Sequence, residues 1–444
     1  MRAKCIDTLL KVEGESVKIK VIEKSYEEVL ALPKKPHKKP IRQWKLLRMV
    51  LKPICYVLLK MNGFTGYKKI GMEKLDKKEP CLYLMNHSSF IDLVFVGYLL
   101  GDRSYHIVTT LDAFVGLNWI LRLVGCIPTR KYITDVNLIR DMRYTLKDLK
   151  ENVLMFPEAC YTFDGSTTPL PESLGKCLKV LGMPVVMVYA DGPFLREPLY
   201  NCIQQRKVKM SATMEYILSP EEIKTKSADE LNEILAKKFT YDHFKNQQEK
   251  NILVTEDFRA DGLHRALYKC PHCLTEGKTV GKGIHLTCEA CGAVYELTEN
   301  GFMKAVNGEN VINHIPDWYQ WERECVRKEL QDGSYKLDVD VDICMLMDTK
   351  CLYKVGTGHL LHTAEGFHLT GCDGKLDYKQ GPNYSYGLNA DFYWYEIGDI
   401  ICLGDEQVLY YCFPKNAGNV VAKTRMATEE LFKINKQKRI TKQK

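Results

Sequence analysis

The chain has 444 residues, enough for two or three domains, and its 45% hydrophobic and 27% charged content is typical of a globular protein. It contains no apolar run near the roughly eighteen residues that a membrane-spanning helix needs. Residues 1–7 (MRAKCID) lack the apolar region of a signal peptide, so the 17 cysteines favour buried thiols in a reducing cytoplasm over a disulfide scaffold.

The positive charge is concentrated near the N-terminus. Residues 31–70 contain eleven Lys and Arg and no acidic residue. The net charge of the whole chain is +7, so the rest of the chain has a net charge of −4. We assign residues 1–40 to an N-terminal region and basic linker, followed by an amphipathic helix that starts near Trp44. A basic helix with Trp and Leu on one face is typical of binding to anionic lipid head groups. A core-facing helix and a nucleic-acid patch are the alternatives, and we favour the membrane surface.

A buried strand followed by a histidine and an aspartate comes next. Residues 81–85 (CLYLM) predict the strand, and residues 86–92 (NHSSFID) follow it. If Ser89 caps the following helix, His87 lies at the strand end and Asp92 in the first helical turn, close enough to orient the imidazole. The pair Ser89 and Asp92 also fits a capping box without catalytic meaning. The same spacing recurs at 368–373 (HLTGCD), so the spacing alone is not specific.

Three further motifs follow in order: residues 125–130 (GCIPTR), 156–159 (FPEA) and 182–186 (GMPVV). Arg130 is predicted on a loop after an apolar stretch, and the fork of an arginine suits phosphate. Residues 152–156 predict a strand that ends before Glu158, which puts this carboxylate at the edge where open α/β sheets bind ligands. An ion pair between Glu158 and Arg130 is the structural alternative.

In order and spacing these four motifs resemble the glycerol-phosphate/lysophosphatidate (1-acyl-glycerol-3-phosphate) acyltransferase family, over about residues 40–250. The resemblance implies an α/β fold with a mixed-sheet αβα acyltransferase domain, which we assign to residues 41–255. It also implies a peripheral O-acyltransferase at the cytoplasmic face of the cell membrane. The reaction would move an acyl group from acyl-CoA or acyl-carrier protein to the hydroxyl of a lysophospholipid in phospholipid biosynthesis. The whole chain is similar to a bacterial branch of the family that carries a zinc ribbon.

The resemblance also implies the roles of the site residues. His87 would be the general base, since its pKa lies near neutral pH, and Asp92 would hold its tautomer. The substrate hydroxyl, and no enzyme side chain, would be the nucleophile. Contacts to the acceptor are expected from four residues: Thr129, Arg130, Glu158 and Thr162.

The third motif departs from the family pattern, which often continues Phe-Pro-Glu-Gly-Thr-Arg-Ser. Residues 158–165 read EACYTFDG, so the arginine is absent. Because of this departure, the alternative is that the same acyl transfer uses a different acceptor, such as a zwitterionic or non-phosphorylated lipid. A non-catalytic membrane tether is the alternative from another class, and the retention of His87, Asp92, Arg130 and Glu158 argues against it.

Two cysteine knuckles predict a zinc ribbon within residues 265–305. Their thiols belong to Cys270, Cys273, Cys288 and Cys291. Four thiolates at this spacing suit a structural, tetrahedral zinc ion, and His272 is expected outside the ligand set. Because the surroundings of the ribbon are not basic, we expect a structural role and no nucleic-acid partner.

The remaining chain predicts a β-rich C-terminal domain over residues 318–436 and a basic tail over 437–444. Alternating and Gly-punctuated segments between 335 and 413 favour a small β-sandwich or β-barrel. A final helix is expected over about 428–436.

Overall fold

The structure is a computed structural model that describes residues 19–33, 36–76, 78–415 and 419–443. The predicted N-terminal region (1–40) and basic tail (437–444) are therefore covered in part, and residues 34–35 of the basic linker lie outside the described residues. Among the described helices, none combines the length and the apolar character that crossing a bilayer requires.

The first described elements are a short strand and a short helix, β1 (Val21–Glu23) and α1 (Tyr26–Leu30). A capping box begins α1, because the Ser25 hydroxyl accepts from the Glu28 amide and the Glu28 carboxylate accepts from the Ser25 amide. β1 pairs in parallel with the strand that begins at Leu352, far along the chain. The N-terminal segment thus packs on the C-terminal sheet.

A seven-stranded sheet forms the centre of the acyltransferase region. Its strands are β2 (Phe64–Ile70), β3 (Leu82–Met85), β4 (Tyr105–Thr110), β5 (Cys126–Thr129), β6 (Asn152–Met155), β7 (Val185–Asp191) and β8 (Met210–Leu218). Their order is β2-β8-β7-β3-β6-β4-β5, and only the β7–β8 pair is antiparallel. Since β3, β5 and β6 run the same way, the residues that follow them meet at one edge of the sheet.

Helices cover both faces of this sheet. They are α2 (Lys45–Met61), α3 (Asp92–Leu99), α4 (Asn118–Leu123), α5 (Val136–Lys147), α6 (Leu174–Leu181), α7 (Pro193–Arg196), α8 (Pro220–Thr225), α9 (Ala228–Lys238) and α10 (His243–Glu249). Alternation along β3 shows the layering: Tyr83 and Met85 pack with α2 and α3, whereas Leu82 and Leu84 pack with α5, α6 and α9. The predicted mixed-sheet αβα arrangement is confirmed.

The ribbon is a four-stranded antiparallel sheet. Its strands are β9 (Thr279–Lys282), β10 (His285–Cys288), β11 (Val294–Leu297) and β12 (Met303–Ala305). The indole of Trp318 packs edge-on against Tyr295 at 5.0 Å and donates to the Lys269 carbonyl. These contacts fix the ribbon to the helix that follows it.

The C-terminal region is one sheet with a helix at each end of the segment. Its elements are α11 (Ile315–Asp332), β13 (Leu337–Leu346), β14 (Leu352–Thr363), β15 (Gly366–Gly371), β16 (Leu376–Gln380), β17 (Asn389–Trp394), β18 (Gly398–Gly404), β19 (Leu409–Pro414) and α12 (Val420–Gln443). The order is β16-β15-β14-β13-β19-β18-β17, with β1 also paired to β14. The predicted β-rich content is confirmed, but the strands form a single sheet. No pairing among the described residues closes it into a barrel.

Candidate active site

His87 and Asp92 meet at the carboxyl end of β3. The Nδ1 atom of His87 lies 3.1 Å from Asp92 Oδ2. The same oxygen accepts from the backbone amides of Ser88 at 2.8 Å and Ser89 at 3.1 Å. Asp92 is fully buried and is the first residue of α3. One carboxylate oxygen therefore performs both predicted tasks, because it orients the imidazole and caps the turn before the helix.

The imidazole of His87 lies between two aromatic rings. The ring of Phe156 stacks at 4.0 Å and that of Tyr161 lies at 4.1 Å. Burial lowers the pKa of His87, and the hydrogen bond from Asp92 opposes this effect. The imidazole is therefore neutral at physiological pH. With Nδ1 engaged by Asp92, Nε2 is left for a proton transfer in the cavity that His87 lines.

The competing His-x4-Asp match has no such environment. His368 lies on β15 with a partly exposed side chain, and its Nε2 contacts Asp377 Oδ1 at 2.8 Å. Asp373, five residues on, lies in the following turn with a φ of 57°. In this second match the histidine contacts a different, exposed aspartate on the C-terminal sheet and not the aspartate of the motif.

Glu158 organises the loops around the histidine. Its buried carboxylate accepts from the His87 amide at 2.9 Å, from the amide and hydroxyl of Thr168, and from the Tyr241 hydroxyl at 2.7 Å. Burial raises the pKa of Glu158 to about 7, and these donors act against that rise. The structure forms no Glu158–Arg130 ion pair among the described residues. Glu158 thus fixes the backbone that carries His87.

The residue after Glu158 has a conformation that favours glycine. Ala159 has a φ of 61°, which costs a side chain with a Cβ about 1 kcal/mol or more. The resembled family carries glycine at this position of the motif. Ala159 thus adopts a conformation that glycine reaches more easily.

Arg130 and Thr129 lie at the end of β5 and line the same cavity as His87. The Nε atom of Arg130 is buried without a hydrogen-bond partner in the described structure. Lys131 follows and also lines the cavity. Burial works against its charge, but Cys160 and Asp391 help to raise the pKa of Lys131 overall. Two neighbouring cations without ion-pair partners among the described residues suit an anionic ligand.

Thr162 lies beside the site but not on the cavity wall. Its hydroxyl donates to the Ser166 carbonyl at 2.7 Å and accepts from the Gly165 amide at 3.1 Å. Its amide donates to the His87 carbonyl at 3.3 Å. The structure thus brings Thr162 to the backbone of the histidine and uses its hydroxyl within the loop.

The cavity in front of His87 has a volume of about 1290 Å³. That volume exceeds the roughly 300–1,000 Å³ of ordinary small-molecule sites. One wall comes from the central sheet and its loops. The other comes from the C-terminal sheet, through residues 384–386 and 391–396 and Phe432 of α12. The sequence analysis did not identify this second wall.

Specific contacts hold the two walls together. The indole of Trp394 donates to Asp112 Oδ2 at 3.2 Å, and the rings of Tyr132 and Tyr386 lie 5.3 Å apart. The Tyr132 ring also occupies the space beside Gly387, where a Cβ atom would approach it to 2.4 Å. No local pattern announces these contacts, because each joins residues more than 250 positions apart.

The four predicted cysteine ligands converge in the ribbon. Their sulfur atoms all lie within 4.8 Å of one another, and the pairs Cys270–Cys291 and Cys273–Cys288 are 3.8 and 3.7 Å apart. A tetrahedral zinc ion with Zn–S bonds of about 2.3 Å places its sulfurs about 3.8 Å apart. The thiols therefore fit a zinc ion, and four of them leave no open position for catalysis.

Comparisons with known proteins show what part of this chain is similar to. The acyltransferase family model matches residues 67–191. The chain is 26% identical over 127 residues to "1-acyl-sn-glycerol-3-phosphate acyltransferase BAT2, chloroplastic" of Brassica napus, a match that covers 28% of this chain and 36% of that protein. The chain thus spans about a third of this relative's length. The crystal structure of the 1-acyl-sn-glycerophosphate (LPA) acyltransferase PlsC from Thermotoga maritima aligns with a TM-score of 0.35 and 17% identity, over 44% of this chain and 78% of that one.

The family match confirms the resemblance predicted from the motifs. It includes all four motifs in full and ends at the last residue of β7. The ribbon and the C-terminal sheet lie outside the matched residues. The second wall of the cavity is therefore a feature of this chain that the matched region does not contain.

Proposed function

We propose that this chain, whose residues 67–191 form an acyltransferase domain, transfers an acyl group from a thioester to a lipid hydroxyl. The donor would be acyl-CoA or acyl-carrier protein, and the acceptor a lysophospholipid such as 1-acyl-glycerol-3-phosphate. The observation that carries the proposal is the contact between His87 and buried Asp92 at the wall of a large cavity. A lipid-binding tether has no need of an oriented, neutral imidazole.

The proposed reaction has two steps. As the acceptor oxygen attacks the thioester carbonyl, His87 Nε2 takes the hydroxyl proton, and Asp92 stabilises the imidazolium. The tetrahedral intermediate then collapses, the C–S bond breaks, and the departing sulfur takes the proton from His87. An ester and a free thiol result. Arg130 and Thr129 would hold the acceptor phosphate, with Lys131 beside them, whereas Glu158 and Thr162 would position the histidine loop.

Purified protein, an acyl-CoA or acyl-carrier-protein donor and a panel of lysolipids test this function. Mass spectrometry of the lipids would follow the product. We expect a diacyl product and one free thiol for each ester formed. If vesicle binding persists but no donor and no acceptor gives a product, the tether becomes the better explanation.

We further propose that α2 and α4 bind the surface of the cytoplasmic leaflet. α2 buries Cys55, Leu58 and Leu59, yet a second apolar face stays exposed. The exposed apolar residues of this surface are Trp44, Leu46, Met49, Val50, Val57, Met61, Trp119 and Ile120. An apolar face of this extent beside exposed lysines is typical of a helix that lies in the head-group region.

Trp119 provides the test of this surface, since 67% of it is exposed. We expect Trp119→Glu to weaken binding to anionic vesicles about tenfold, because a charge replaces an indole that would enter the membrane interface. Sedimentation with vesicles of anionic or zwitterionic lipid measures the effect. Val306→Glu is the control, since Val306 is also exposed but lies on the ribbon. Equal losses in both variants would contradict the assignment.

A further inference from the structure

The C-terminal sheet brings a carboxylate, that of Asp391, to the cavity that Arg130 and Lys131 also line. Resting on the function proposed above, we propose that the acceptor carries a cationic group as well as a phosphate, and that Asp391 recognises the cation. The substrate class is then a zwitterionic lysolipid with an ammonium head group. The third motif lacks the arginine of the family pattern, which leaves the identity of the acceptor open. A zwitterionic lysolipid would be that acceptor.

Asp391 is buried but has few partners of its own. It lies on β17, lines the cavity and is 9% exposed. Its side chain makes one hydrogen bond, from the adjacent Phe392 amide at 3.0 Å. Burial raises the pKa of Asp391 to about 6, and Lys131 acts against that rise, so the carboxylate is mostly ionised at neutral pH. A buried charge with one hydrogen bond is costly unless a ligand supplies the missing partner.

The cations of the cavity do not supply that partner. Lys131 is close enough to influence Asp391, but the structure forms no ion pair between them. Lys131 and Arg130 also have no other ion-pair partner among the described residues. The two cations and the carboxylate are thus all available to a ligand. A molecule with both a phosphate and an ammonium group matches a cavity that offers both kinds of charge.

The two other buried acidic groups that line the cavity, Asp112 and Glu197, already have partners. Asp112 accepts from the indole of Trp394 and from the Thr110 hydroxyl. Glu197 accepts from the Ser89 hydroxyl at 2.8 Å and from Gln205 at 3.1 Å. Asp391 has no comparable side-chain donor, which makes it the carboxylate of the three best suited to a ligand.

Aromatic residues line the same part of the C-terminal sheet as this carboxylate. Tyr386, Trp394 and Tyr395 line the cavity with Asp391. The register of β17 against β18 shifts between Asp391 and Trp394, and Tyr395 has a φ of 45°. Such a bulge breaks the alternation of a strand, so that successive side chains can reach one site. A carboxylate among aromatic faces is a common arrangement for binding an ammonium group.

The test uses the full chain and three lysolipid acceptors that have the same acyl chain and differ in the head group. The head groups are phosphoethanolamine, a phospho-hydroxyethyl analogue in which an uncharged hydroxyl replaces the ammonium group, and a bare phosphate. Binding is measured by competition with a fluorescent lysolipid, and transfer by mass spectrometry. We expect the ethanolamine acceptor to bind about tenfold tighter than the hydroxyethyl analogue, as for one charged hydrogen bond. Asp391→Asn should remove that preference. Asp377→Asn, an exposed change on β16 of the same sheet, should leave it intact.

The outcomes separate this inference from the proposed function. If Asp391→Asn changes the affinity for all three acceptors by the same factor, Asp391 only tunes the local charge and the inference is overturned. Wild-type protein without an ammonium preference overturns it as well. If the preference and its loss are seen in binding but no acceptor is acylated, the inference stands and the proposed reaction fails.

Discussion

Replacing His87 by alanine is expected to lower the turnover number roughly 1,000-fold, as for the loss of a general base. Acceptor affinity should change little, because the cavity is wide and the imidazole is one small part of its wall. Asp92→Asn should lower turnover about 100-fold, since the imidazole loses the partner that orients it and stabilises its charge. Initial rates at saturating donor and acceptor measure both effects.

The surface pair His368 and Asp377 supplies the matched control. His368→Ala removes a histidine that also contacts an aspartate but is far from the cavity lining. It should leave turnover unchanged, with melting temperatures compared for every variant. Turnover that survives in His87→Ala would sink the assignment of the base.

The pH dependence of the rate is an independent test of the contact between His87 and Asp92. The reaction needs the neutral imidazole, so the rate should rise with pH through the pKa of His87 and level off above it. That pKa lies below its usual value because burial lowers it and Asp92 only partly restores it. In Asp92→Asn the restoring interaction is gone, so the acidic limb should move to lower pH. A limb that moves to higher pH in this variant would contradict the contact.

Removing zinc from the ribbon is expected to lower the melting temperature by on the order of 10 °C, because structural zinc contributes directly to folding. The double change Cys270→Ser and Cys288→Ser should have the same effect as a chelator. Arg259 links the ribbon to the acyltransferase region, because its carbonyl accepts from Arg206 at 2.7 Å and its Nε atom donates to the Leu297 carbonyl of the ribbon. Its loss should therefore weaken the packing of both neighbours.

Metal analysis measures the zinc content and calorimetry measures the melting temperature, and together they test this prediction. We expect one zinc ion per chain in the wild type and none in the double variant. Cys177→Ser is the control, since Cys177 is a partly buried thiol outside the cluster. Unchanged melting after complete removal of the metal would show that the four thiols hold the ribbon without it.

Local patterns predicted the elements of the candidate site but not its shape. The strand before His87 and the helix after it follow from apolar periodicity within about fifteen residues. Ser89 is not the cap of this helix, which begins at Asp92 after Ile91 without a side-chain cap, and the Asp92 carboxylate accepts from the amides of Ser88 and Ser89 in the preceding turn. Conversely, the Trp394–Asp112 contact joins residues 282 positions apart. Such a pairing depends on how two sheets pack, which no sequence window contains.

The bounds of the last helix could not be predicted from local sequence patterns either. The sequence predicted it over about 428–436, whereas α12 runs from Val420 to Gln443. Its buried face begins with Val421, Ala422 and Met426, which pack against the rest of the C-terminal core. The predicted basic tail is helical through residue 443, since charge alone gives no signal for where a helix stops.

The pairing of β1 with β14 has a consequence for the order in which the molecule is assembled. Val21 pairs with Leu352, so the partner of this strand is synthesised about 330 residues later. At roughly 5–20 residues per second, the strand waits for tens of seconds during translation. The segment made early is thus among the last to be fastened. The basic helix α2 also leaves the ribosome early. At that time the C-terminal sheet, to which β1 belongs, has not yet been synthesised.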